Sequence, residues 1–226
     1  MDKKNYRIKI LKNGPYLVTG NIPLSEKIIR YVDKKYKYID GRKFPQSEKY
    51  LLCRCGMTKN TPFCDGTHVK IGFDGTETAP NNTYESRSEL LEGPGIDLLD
   101  DKRCALAWFC HREKGDVWEL VMNSDNEENI QEAIRGACEC PSGRLVARDK
   151  QGNEIEPEYE PSIDIIQDYQ MKVSGGIFVK GRIPIESSDG STYEIRNRVV
   201  LCRCGKSHNK PFCDGTHVKV GYIDKK

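Results

Sequence analysis

The chemistry of this chain sits in its ten cysteines and four histidines. The cysteines form three groups: Cys53, Cys55 and Cys64; Cys104, Cys110, Cys138 and Cys140; and Cys202, Cys204 and Cys213. Residues 53–68 read CRCGMTKNTPFCDGTH and residues 202–217 read CRCGKSHNKPFCDGTH, differing only at Met57/Lys206, Thr58/Ser207, Lys59/His208 and Thr61/Lys210. Each copy offers C-x-C, then eight residues, then C-x-x-x-H. In extended chain, residues two apart point to one face, so Cys53 and Cys55 can bind one metal together, as can Cys202 and Cys204. In a helical turn, residues four apart share a face, so Cys64 pairs with His68 and Cys213 with His217. Three thiolates and an imidazole suit either zinc or a 2Fe-2S cluster. The tight C-x-C spacing is less usual for zinc and points toward iron and sulfide. The remaining histidines read differently. His208 aligns with Lys59 and reads as a loop residue, and His111, beside Cys110, reads as a solvated neighbour.

Short β-rich runs must position these ligands. Tyr16–Val18 and Ile177–Val179 read as strands ended by Gly, and Tyr50–Leu52 and Val199–Leu201 read as strands that deliver each C-x-C. Ile22-Pro23-Leu24 and Ile183-Pro184-Ile185 carry a proline, which confines them to a strand edge or start. Cys64–His68 and its second copy read as the first turn of a helix capped by Asp65 or Asp214. The first copy is twelve residues longer between its opening strand and its Cys, within the Lys- and Tyr-rich stretch from Arg30 to Lys49, which reads as a surface insertion. The organisation is repeat, insert, repeat, with bounds at 1–75, 76–170 and 171–226. The insert contains one strong helix signal. Ser124 with Glu127 fits a capping box, Ile130, Ala133, Ile134 and Ala137 form an apolar stripe, and Gly136 marks a stop. Pro80–Thr83 and Glu154–Pro161 read as linkers.

Composition narrows the function classes. The net charge of +2 gives no basic excess for holding nucleic acid. No run of 18 apolar residues exists to span a membrane, and MDKKNYRIKI has no apolar segment of an export signal. In the reducing cytosol expected on that basis, ten cysteines point to metal binding rather than disulfides. No phosphate loop, G-x-S-x-G elbow or H-E-x-x-H appears, so no catalytic residue is nominated and a non-enzyme is expected.

With Thr58 and Ser207, Pro62 and Pro211, and Asp65 and Asp214 in place, the repeated motif resembles the CDGSH iron–sulfur, or mitoNEET-like, family, in its tandem-motif form. The resemblance implies one 2Fe-2S cluster held by Cys53, Cys55, Cys64 and His68, and a second held by Cys202, Cys204, Cys213 and His217. It further implies an α+β fold with a β-rich NEET-like cap, in which the two motifs build an intramolecular pseudo-dimer in a monomer. Arg54, Arg203 and the two Asp are then scaffolding. Cys104-x5-Cys110 and Cys140-Pro141-Ser142-Gly143-Arg144-Leu145 resemble a divergent single-cluster 4Fe-4S domain, a small ferredoxin-like module. That resemblance fits Cys104, Cys110 and Cys140 to a 4Fe-4S cluster with Cys138 as fourth ligand, or to a 3Fe-4S cluster with Cys138 free. Zinc, disulfides or free thiols are the alternatives there. The expected function is electron transfer or cluster transfer to redox or acceptor proteins. The alternative is a zinc-stabilised interaction module.

Overall fold

The computed structural model describes residues 6–225; the first five residues of the stretch read for an export signal lie outside them. From the N-terminus, β1 (Arg7–Ile10) and β2 (Tyr16–Thr19) make a hairpin, and β3 (Leu24–Val32) and β4 (Lys35–Lys43) make a longer one. β5 (Lys49–Leu52) leads into the first Cys pair, and α1 (Thr67–Lys70) follows. The insert brings α2 (Tyr84–Arg87), β6 (Glu89–Leu91), β7 (Asp97–Asp100), the ribbon β8 (His111–Arg112) and β9 (Gly115–Asp116), α3 (Val117–Met122), α4 (Glu127–Glu139), β10 (Leu145–Arg148) and β11 (Glu154–Ile155). β12 (Ser162–Asp168), β13 (Val173–Lys180), β14 (Ile185–Glu186), β15 (Arg198–Leu201) and α5 (Thr216–Lys219) complete the chain. The fold is mixed α+β and strand-rich, with short helices.

The repeats exchange strands. One sheet has the order β14-β1-β2-β5 and the other β15-β13-β12-β3-β4. β14 of the second repeat runs parallel to β1 of the first, with Ile8 opposite Ile185. β3 of the first repeat runs parallel to β12, from Leu24 opposite Ile163 to Ile29 opposite Asp168. β12 is thus the counterpart of β1. The bound expected at 170 falls after β12, yet the hydrogen bonds of this strand go to the repeat sheet.

Ile8, Tyr16, Val18 and Leu52 share one buried core with Ile163, Ile177, Val179 and Leu201. β13 is buried on both faces, because Ile177 and Val179 enter that core while Phe178 packs with Ala105, Ala107 and Phe109 of the insert. The apolar run Ile177–Val179 in β13 follows from having no solvent face on either side. The insert has its own core, in which Ile96, Leu98, Val117, Leu120, Ala133 and Ala137 pack together.

The Arg30–Lys49 stretch is largely exposed, as a surface insertion should be; most of it is the β3–β4 hairpin, and Tyr38 stacks on Phe109 of the insert with ring centroids 4.3 Å apart. Two readings are corrected. The α4 cap is Asn126, whose side chain accepts from the Asn129 N–H, not Ser124. Ser124 is fully buried and instead ties the Gly95 and Ile96 amides to the Val121 carbonyl. Gly136 does not stop α4. It lies inside the helix, where a Cβ would collide with Val117. No helix among the described residues is long and apolar enough to cross a membrane.

Candidate metal centres

β5 and β15 end one residue before each C-x-C, and the chain then turns so that both thiols face inward. The Cys53 and Cys55 sulfurs lie 3.7 Å apart, and so do those of Cys202 and Cys204. Two sulfurs each about 2.3 Å from one tetrahedral metal are separated by about 3.7 Å. Cys64 Sγ lies 3.3 Å from His68 Nδ1, and Cys213 Sγ lies 3.4 Å from His217 Nδ1. A nitrogen at about 2.0 Å and a sulfur at about 2.3 Å on one tetrahedral metal give about 3.5 Å. Each pair therefore already has the spacing of two ligands on one metal. Among the described residues no three His, Cys, Asp or Glu side chains converge on a single-ion site. Donors paired at these distances can hold zinc or a pair of bridged irons.

The surroundings fix these pairs. The N-cap of each one-turn helix is Gly66 or Gly215, in left-handed conformation, rather than Asp65 or Asp214. The Asp carboxylates do the capping from one residue earlier. Asp65 accepts from the Lys59 and Thr67 amides and Asp214 from those of His208 and Thr216, each at 2.9–3.0 Å. The Lys59 amide, then Thr67, holds the Asp65 carboxyl well below the usual range. Thr58 and Ser207 each donate 2.7 Å to the carbonyl before the third Cys. Pro62 and Pro211 both follow cis peptide bonds. The two C-x-C turns meet each other. A Cβ on Gly56 would lie 2.6 Å from the Cys204 carbonyl, and one on Gly205 would lie 2.6 Å from the Cys55 carbonyl. Only glycine permits that approach.

Within each C-x-C one thiol is acidified at the expense of its partner. A hydrogen bond from Cys55, helped by the Thr58 and Gly56 amides, pulls Cys53 down to about 6, while Cys55 rises. Cys204 and the Ser207 and Gly205 amides pull Cys202 down to about 7, while Cys204 rises. Burial pushes Cys64 and Cys213 up. A readily ionised thiol is the form that takes up metal.

In the insert, Cys104, Cys110 and Cys140 line one small cavity, together with Trp108, Trp118 and Arg144. The 104–110 loop wraps it with left-handed residues at Leu106 (φ 52°) and Trp108 (φ 66°). The Trp108 Nε1–H is buried with no hydrogen-bond partner, a donor left for whatever occupies the cavity. Arg144 is gripped by Asp100 at 2.6 and 2.7 Å and brings positive charge to the same wall. Burial pushes Cys110 up to about 12. Cys138 is not among the lining residues; its thiol faces the Ile155 carbonyl at 3.6 Å. The structure thus brings together three of the four insert cysteines. His208 is on the surface, and His111 is exposed in β8. A larger groove of about 1030 Å³, lined by Arg42, Lys59 and Asp168 among others, contains no Cys or His.

Sequence reasoning missed Arg198. Fully buried at the start of β15, it donates to the carbonyls of Ala137, Cys138 and Cys140 at 2.7–2.8 Å and pairs with Glu156 at 2.6 Å. It satisfies the orphan carbonyls at the C-terminus of α4 and so fixes the backbone that presents Cys140. The only signal was a basic residue four before each C-x-C, Lys49 and Arg198.

Residues 13–69 and 174–218 match the family of iron-binding zinc fingers of CDGSH type. Residues 91–150 match the divergent 4Fe-4S mono-cluster domain. No curated protein and no solved structure matches the chain.

Proposed function

We propose that this chain, whose residues 13–69 and 174–218 match the CDGSH family and whose residues 91–150 match the divergent 4Fe-4S mono-cluster domain, carries single electrons, or clusters, to acceptor proteins. Cys53, Cys55, Cys64 and His68 hold one 2Fe-2S cluster, and Cys202, Cys204, Cys213 and His217 hold a second. The observation that carries this reading is the paired spacing of the donors, 3.7 Å and 3.3–3.4 Å in both copies. Cys104, Cys110 and Cys140 hold one further cluster, of 3Fe-4S type or 4Fe-4S type with one iron lacking a thiolate, and Cys138 is free. The reciprocal strand exchange β1–β14 and β12–β3 supports a pseudo-two-fold arrangement of the two motifs within one monomer.

Such clusters supply one-electron storage when bound. The protein residues set its terms. The neutral imidazoles of His68 and His217 leave each site one negative charge poorer than four thiolates would, which raises the potential. Trp108 offers a hydrogen bond to the insert's cluster. Asp65 and Asp214 hold the turns that bear the imidazoles. No catalytic residue, nucleic-acid surface or membrane segment is part of the proposal, and the cytoplasm is the proposed location.

The test is iron and acid-labile sulfide per chain, read with low-temperature EPR of the dithionite-reduced protein. Iron and sulfide in near-equal amounts with 2Fe-2S signals are expected. A colourless protein holding only zinc would overturn the proposal.

A further inference from the structure

The two motifs are nearly identical in sequence but differently covered, and the insert makes the difference. The 104–110 loop turns over the second motif. Leu106 Cγ and Cδ1 lie 2.6 Å, and the Cys104 carbonyl 3.5 Å, from where a Cβ on Gly215 would stand; at Gly66 nothing lies within 4 Å. Cys213 shares a buried apolar cluster with Ala105, Ala107 and Phe109. The Arg103 guanidinium lies 4.5 Å from the Phe212 ring centre. Cys213 and His217 are each 4% exposed, whereas Cys64 and His68 are only half-buried.

A second difference is electrostatic. Arg54 and Arg203, inside the two C-x-C turns, are both 1% exposed. Arg203 is ion-paired with Asp224, which Gln167 and Tyr222 also hold, at 2.8 and 3.0 Å. The first copy has Gly75 where the second has Asp224. Among the described residues Arg54 makes no ion pair; its Nε donates to the Gly14 carbonyl at 2.8 Å and its Nη1 has no partner. A Cβ on Gly14 would sit 3.6 Å from His68 Nε2, so this guanidinium, which has no ion pair, lies close to the first site.

We infer that the insert is the internal redox partner of the second motif, and that electrons run from the insert through the second site to the first, which passes them to an external acceptor protein. The inference rests on the iron–sulfur reading above. Burial disfavours added negative charge, and Asp224 cancels Arg203, so the covered site is the harder to reduce. Solvent and the unpaired Arg54 make the first site the easier. Each step moves one electron. With clusters bound, an external one-electron donor, dithionite in vitro, would give its electron to the group held by Cys104, Cys110 and Cys140; the group held by Cys202, Cys204, Cys213 and His217 would receive it next and that held by Cys53, Cys55, Cys64 and His68 last, each donor losing the one electron its acceptor gains. A one-electron acceptor protein then restores the first site. No bond or proton is exchanged.

The test is an anaerobic redox titration of the holoprotein followed by EPR, with His68→Cys and His217→Cys used to assign the two 2Fe-2S signals. The first-site signal is expected at the higher potential. The second-site signal is expected to relax several-fold faster, since the paramagnetic insert is its neighbour. Gly215→Ala drives a methyl group against Leu106, while Gly66→Ala imposes the same backbone strain with no neighbour, so fast relaxation is lost in Gly215→Ala alone. Cys140→Ser, which empties the insert, reads the same loss should Gly215→Ala not fold. Asp224→Asn moves the second site's potential up toward the first. Clusters at full occupancy with equal relaxation, or with the second site at the higher potential, overturn this inference and leave the iron–sulfur reading standing. Absence of iron and sulfide removes both.

Discussion

Cys64 and His68 meet solvent in part, whereas Cys213 and His217 lie beneath the insert, although the two sixteen-residue motifs differ at four positions, none of them a ligand. The spacing within each ligand pair is the same to 0.1 Å or better. A motif fixes which atoms bind and how far apart they stand. What packs over the motif decides who can reach it. Here the cover comes from a third segment, held at one end by Arg198 and seated at the other by Leu106 on Gly215.

The largest effect expected from breaking this asymmetry is at Arg198. Arg198→Met strands Glu156 and the α4 carbonyls, and should cost about 3–5 kcal/mol of stability. Lys49→Met, at the matching exposed position, should fall within about 0.5 kcal/mol of the parent. Urea unfolding measures both, and iron analysis should show loss from the insert in Arg198→Met alone. Next comes the seat itself. Leu106→Ala removes the side chain over Gly215 and should cost about 1–3 kcal/mol. It should also bring chelator access at the second site close to that at the first, as followed by bleaching. In the glycine pair, Gly66→Ala should cost about 1 kcal/mol for its left-handed backbone (φ 84°). Gly215→Ala (φ 80°) should cost that plus the collision with Leu106, so the difference between the two variants isolates the insert contact. The smallest effect sharpens the comparison from the other side. Tyr222→Phe makes the second copy match Phe73 and deletes a 3.0 Å bond to Asp224. It should cost about 0.5–1.5 kcal/mol in the same unfolding assay.

Much of the site was legible in the chain because its chemistry is local. C-x-C and C-x-x-x-H are short-range patterns, and the structure brings the sulfurs of each C-x-C to 3.7 Å, although through a turn after the strand rather than on an extended segment. The strands before each C-x-C and the apolar stripe of α4 were legible for the same reason. The strand exchange was not, since nothing in Ile8 or Ile185 names a partner more than 170 residues away. α3 was missed although Asp116 and Glu119 form a complete capping box, because six residues leave too little periodicity to see. In sequence Cys140 belonged to the matched set, while Cys138 stood either as fourth ligand or as a free thiol. At the end of α4 they diverge, one toward Ile155 and the other into the cavity with Cys104 and Cys110. The Lys- and Tyr-rich stretch is at the surface as read, but its contact with the insert was not legible. Lys37 faces solvent while Tyr36 and Tyr38 turn toward Phe109.

Acid release separates the two sites most directly. Burial, with Arg203 adding, pulls His217 down to about 4. Between the unfolded value of about 6.5 and that figure the folded chain binds fewer protons than the unfolded one. The stability tied to a neutral His217 is therefore intact above about pH 6.5 and declines as pH falls toward about 4, while the imidazole itself stays unprotonated and able to hold iron. His68 has no such cover. Because Cys64 and His68 are half-buried and open to solvent while Cys213 and His217 are covered, the visible absorbance of the holoprotein, followed at about pH 5, should decay in two well-separated phases, the fast one vanishing in His68→Cys and persisting in His217→Cys. A single phase in the parent protein, or a fast phase that disappears with His217→Cys, would contradict the claim that the insert makes two like motifs unlike.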